Sequence, residues 1–126
     1  MIEGRIDEGY PIINIILRLA NRPALQIEFV VDTGFAGFLT MPPAAIAALQ
    51  VPFFYKMPAN LADDTNIMVN VHIATIEWQG HEREIEIMAI GRRPLIGRSL
   101  VRGNELCIEF IKDGRVQINR LGDAIL

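Results

Sequence analysis

The stretch Glu28-Phe29-Val30-Val31-Asp32-Thr33-Gly34 constrains this chain more than any other. Its apolar part reads as the end of a strand buried on both faces, because such strands show continuous rather than alternating apolar residues. The run stops at an acid, a hydroxyl and a glycine. A carboxylate directly after a buried strand is badly placed for free solvation. Gly34 lets the backbone turn sharply at little steric cost. Asp32 is therefore the first candidate for chemistry.

The remaining sequence reads as short strands separated by closely spaced turns. Ile2 to Ile6 is expected as a first strand and Pro11 to Leu19 as a second, with Ile13, Ile15, Leu17 and Leu19 on one face. Asn21-Arg22-Pro23 turns the chain into Ala24 to Val31. Phe35 to Thr40 is expected to be extended. Pro42-Pro43 then opens a short helix, Ala44 to Leu49, since proline suits a first helical turn. Val51 to Met57 returns as strand, and Pro58 to Thr65 is a turn-rich tip. Ile67 to Trp78 is the longest strand signal, and its apolar parity switches near Ile73, which predicts a bulge or a strongly twisted strand. His81 to Ile90 follows. Leu95-Ile96-Gly97 is a second buried run ending in glycine, before one helical turn, Arg98 to Arg102, closed by Gly103. Glu105 to Ile111 and Arg115 to Ile118 read as a hairpin across Asp113-Gly114. This pattern predicts an all-β barrel or sandwich in a single domain, residues 1–126.

Composition narrows the function. The net charge is −3, which argues against nucleic acid as the main partner. No apolar run is long enough for a membrane-spanning helix, and the first residues carry no secretory signal. Cys107 is the single cysteine and reads as core, so no intrachain disulfide forms and a reducing, cytoplasmic setting is expected. His72 and His81 have no cysteine or carboxylate at ligand spacing, so neither a metal nor another cofactor is expected. With 51% hydrophobic residues in 126, an isolated unit would struggle to bury its apolar surface, and a subunit interface is expected.

Val30-Val31-Asp32-Thr33-Gly34 and Pro94-Leu95-Ile96-Gly97-Arg98-Ser99-Leu100, taken together, resemble the two motifs of the retropepsin-like (clan AA) aspartic proteases, and specifically the small single-domain prokaryotic relatives of the retroviral enzymes. The resemblance implies a closed acid-protease-like β-barrel half with one short C-terminal helix, paired into a two-fold homodimer. It implies an aspartic endopeptidase acting on an extended polypeptide through an Asp dyad and an activated water. The sequence has one Asp-Thr-Gly, so Asp32 would meet Asp32 of a second chain. By the same resemblance Thr33 braces the paired loops, Gly34 keeps them tight, and Leu95-Ile96-Gly97 packs beneath. A flap over residues 59–67 would cover the substrate with Ala62, Asp63 and Asp64 at its tip, while Phe35 and Ile96 would contact the substrate. The apolar segments Ile2 to Ile6 and Ile118 to Leu126 would interleave in the dimer.

The sequence also departs from the retroviral pattern. Phe35 stands where alanine or serine usually follows the triplet, Ala36-Gly37 replaces polar residues, and the tip carries acids instead of glycines. These departures keep a second reading open: a non-catalytic retropepsin-like dimer that binds peptides or serves in assembly.

Overall fold

The computed structural model describes residues 1–122. The strands are β1 (Ile2–Asp7), β2 (Tyr10–Arg18), β3 (Leu25–Val31), β4 (Leu39–Met41), β5 (Phe53–Asn60), β6 (Asn66–Trp78), β7 (His81–Ala89), β8 (Leu95–Ile96), β9 (Asn104–Ile108) and β10 (Arg115–Arg120). Two short helices interrupt them, α1 (Pro43–Leu49) and α2 (Arg98–Val101). The order across the sheet is β5-β6-β7-β4-β8-β3-β2-β1-β10-β9. β6 also pairs with β2, through Leu17↔Ile76 and its neighbours, so the pairings from β2 through β3, β8, β4, β7 and β6 return to β2. The side chains enclosed by this circuit form the core: Ile13, Ile15, Leu17, Phe29, Leu39, Ile76, Ile87 and Ile96 are all buried.

Local chemistry explains most element boundaries. Pro43 starts α1, and Gln50 ends it in the left-handed region at φ 54° with its amide on the Ala47 carbonyl. β6 carries the expected parity switch: Val69 and Val71 are buried, then Ala74, Ile76 and Trp78. The register shift in this region lies on the partner strand, between Phe53 and Tyr55 of β5, opposite His72 and Val71, whereas the ladder of β6 with β7 runs unbroken through Ile73. His72 holds the corner through Nδ1 at 2.9 Å from the Val51 carbonyl.

Four expectations need correction. The segment Phe35 to Thr40 is not one strand: only Leu39–Met41 is extended, because the Phe35 amide bonds back to the Asp32 carbonyl at 3.1 Å and folds the loop into a turn. The helix before the last strands is not C-terminal, since the β9–β10 hairpin follows α2, and α1 is a second helix. Cys107 is exposed, not core. β9 is a sheet edge whose inward positions are Leu106 and Ile108, so Glu105 and Cys107 take the outward parity. Finally, β1 does not await a partner's strand over Ile2–Arg5: those residues pair with β10 of the same chain, Ile2↔Ile118 to Arg5↔Arg115. The last part of the tail expected to interleave, residues 123–126, lies outside the described residues.

No helix among the described residues is long and apolar enough to cross a membrane.

Candidate active site

The Asp32 loop is built where two parallel strand ends lie side by side. β3 and β8 pair in parallel, Val30↔Leu95 and Val31↔Ile96. The ladder continues one step into the loop: the Asp32 amide donates to the Ile96 carbonyl at 2.9 Å. This bond fixes the backbone of the acid to the second glycine motif. The Asp32 carboxylate is held from its own side as well, because Oδ1 accepts the Gly34 amide at 3.0 Å. That contact is an Asx-type turn, the local geometry Asp adopts readily. Asp32 is half-buried, while Thr33 and Gly34 beside it are exposed, so the tip of the loop lies at the surface.

The rest of the loop is stitched to the start of α2. Arg98 donates its backbone amide to the Phe35 carbonyl at 2.9 Å, and its guanidinium reaches the Thr33 carbonyl at 3.3 Å. The Ser99 amide bonds to the Gly37 carbonyl at 3.2 Å, and its hydroxyl donates to the Ala36 carbonyl. Gly97 bonds to the Phe38 carbonyl at 2.8 Å. Every carbonyl from Asp32 to Gly37 that is named here is thus answered by an amide or side chain, and none depends on a sheet ladder.

Glycine is required at the crossing point. A Cβ on Gly97 would sit 2.0 Å from the Gly37 carbonyl oxygen and 2.6 Å from the Phe35 ring. A Cβ on Gly37 would sit 2.5 Å from the same ring. The Phe35 ring therefore lies over two glycines, which leave room for its bulk. Ile96, expected at the substrate, is fully buried in the core.

At the tip, Leu61 and Thr65 close a turn, with the Leu61 amide on the Thr65 carbonyl at 2.8 Å. Asp63 Oδ1 accepts the Thr65 hydroxyl at 2.6 Å and the Thr65 amide at 3.1 Å. The hydroxyl bond first, then the amide bond, hold the Asp63 carboxyl below the usual carboxylate range. Asn60 donates to Asp64 Oδ1 at 3.2 Å, and Asp64 takes φ 68°. The two acids are thereby absorbed into turn geometry. Ala62, between Leu61 and Asp63, is exposed.

Sequence reasoning gave roles to Asp32, Gly34 and Gly97 but none to Ser99. The signal for Ser99 was present: a serine in the first turn of a helix is well placed to bond neighbouring backbone. Among the described residues no group of three or more His, Cys, Asp or Glu is arranged to hold a metal ion.

With this geometry established, comparison with solved structures is informative. The chain superposes on EIAV protease complexed with the inhibitor HBY-793 with a TM-score of 0.55, at 15% sequence identity, covering 75% of this chain and 86% of that one. The fold is retropepsin-like. No protein-family model matches the chain, and no curated protein sequence does. The likeness is therefore carried by architecture, with an Asp-Thr-Gly loop and an Ile-Gly-Arg segment lying side by side within it.

Proposed function

We propose that the chain is an aspartic endopeptidase that works as a homodimer, each copy supplying Asp32. The observation that carries this reading is the double anchoring of Asp32, by its amide to Ile96 and by its carboxylate to Gly34, in a retropepsin-like fold. Such anchoring presents a carboxylate at a loop tip in one orientation, which is what catalysis by a preset pair of acids needs.

The chemistry follows from two carboxylates meeting about 3 Å apart, where both cannot ionise and one proton is shared. The ionised partner takes a proton from water as the oxygen attacks the peptide carbonyl carbon. The protonated partner donates to the nitrogen as the C–N bond breaks. The pair titrates as a unit. Thr33 lies exposed beside Asp32, where it would meet its counterpart, and the Leu61–Thr65 tip would close over an extended peptide. Phe35, seated on Gly37 and Gly97, stiffens the loop in this reading.

The test is cleavage of a denatured protein mixture between acidic and neutral pH by the native chain and by Asp32→Asn. Turnover by the native protein that the variant lacks, with both folded by circular dichroism, supports the endopeptidase. Peptide binding without turnover at any pH in the native protein supports instead the non-catalytic module, which the acid-bearing tip favours.

A further inference from the structure

Ser99 grips the Asp32 loop twice from the first turn of α2. Its amide donates to the Gly37 carbonyl at 3.2 Å, and its hydroxyl donates to the Ala36 carbonyl. The two bonds differ in what they need. The first amides of any helix lack an intrahelical acceptor, so the amide bond is open to every residue type but proline. The second bond needs a donor on the β-carbon, which serine supplies.

The loop depends on such grips. It spans residues 32–38, between the end of β3 and the start of β4. Its start is fixed by the Asp32 amide on the Ile96 carbonyl, and its end by the Gly97 amide on the Phe38 carbonyl. Between them Gly34, Ala36 and Gly37 carry little or no side chain to pack, and the glycines add backbone freedom. Arg98 contributes a guanidinium bond to the Thr33 carbonyl, but at 3.3 Å it is long for a charge-assisted bond. The Ser99 hydroxyl holds the middle of the loop, where neither strand end reaches. From Ala36 the path to the acid is short. The adjoining Phe35 donates its amide to the Asp32 carbonyl, and its ring lies over Gly37 and Gly97.

We infer that Ser99 is a positioning residue for the Asp32 carboxylate, acting through the Ala36 carbonyl. The inference deepens the peptidase reading and rests on it for the consequence in catalysis. In a pair of acids that shares one proton, separation decides how far apart the two titrations of the pair stand. Closer carboxylates repel more strongly when both are ionised, which widens the interval. The singly protonated pair is the working form, so the width of the pH profile of cleavage reports the separation. A residue that merely stabilised the fold would change the amount of active protein and leave that width alone. Arg98 is the charged group that reaches this loop from α2, and it stays in place when only Ser99 is changed.

The full native chain, Ser99→Ala and Ser99→Thr are compared in two measurements. The first needs no turnover. Because the Gly34 amide donates to Asp32 Oδ1, its NMR shift follows the ionisation of that carboxylate as pH is varied. Ser99→Ala is expected to shrink this pH-dependent shift by roughly twofold, since a hydrogen bond weakens steeply once misaligned. Ser99→Thr, which keeps the hydroxyl, is expected to retain it. The second measurement is peptide cleavage across pH. Ser99→Ala should lower kcat by roughly tenfold or more with KM little changed, as misplacement of a reacting group does, and should narrow the pH profile, while threonine restores both. If the alanine variant does not fold, Ser99→Cys replaces it, and its weaker donor should give a smaller change in the same direction. An unchanged Gly34 titration in the variants lacking the hydroxyl, or a lower kcat with a profile of native width, would overturn the inference. A Gly34 titration that responds to Ser99, in a native chain without turnover at any pH, supports the positioning contact and rejects the peptidase reading alone. Turnover without that response rejects this inference alone.

Discussion

Gly97 is the residue on which the Asp32 loop depends most tightly. Its α-carbon faces a backbone carbonyl that cannot rotate away, and an added Cβ would stand 2.0 Å from that oxygen. Gly97→Ala is expected to destabilise the fold by about 1–3 kcal/mol, the usual range for forcing an extra methyl into packed structure. Urea denaturation monitored by tryptophan fluorescence measures it, through the buried Trp78. Cleavage should fall further than stability alone explains, because the methyl pushes on the loop that carries Asp32. At this scale the sequence was partly legible. Asp32, Gly34 and Gly97 are recognisable from residue type and neighbours. The seat of Phe35 is not, since its two glycine partners come together only when residues 35–37 meet residue 97 in space. Cys107 misled for another reason: an alternating edge strand reads the same as a core strand until its register on β10 is known.

The element that most invites a pH experiment is the tip between β5 and β6. Asp63 is held below its ordinary range by two Thr65 bonds, so the folded tip favours the ionised acid. The tip is therefore ordered at neutral pH. That order is lost as pH falls below the usual carboxylate range and through the lowered value of Asp63. The Thr65 amide should show hydrogen-exchange protection that disappears on acidification, and Asp63→Asn should weaken it at neutral pH as well. A Thr65 amide equally protected across the titration would sink this account. The strands either side were legible because β5 and β6 are joined by a short turn and pair locally. The parallel contact of β3 with β8 was not, since no turn joins residues 31 and 95 and only the similarity of the two motifs hinted at it.

For the molecule as a whole, the apolar excess seen in the composition is only partly buried. Phe110 is 71% exposed, Ile111 65%, Met68 64% and Phe53 56%. Surfaces of this kind mark sites of association. If Asp32 works in pairs, the specific rate of cleavage should rise with protein concentration across the dimer dissociation range and then level off. A specific rate independent of dilution, with sedimentation showing a monomer throughout, would exclude a shared site. The overall architecture was legible from strand spacing, whereas the closing contact of β6 with β2 was not, because it joins residues about sixty positions apart.

The pairing of Ile2 with Ile118 has a consequence of its own. The first and last described strands are neighbours in one ladder. A short linker from the end of β10 to the start of β1, with a new opening cut at the exposed Leu61–Thr65 tip, would preserve every strand pairing while reversing which half is synthesised first. The order of the halves along the chain is thus a matter of biosynthesis, whereas the ladder between β1 and β10 is a matter of structure.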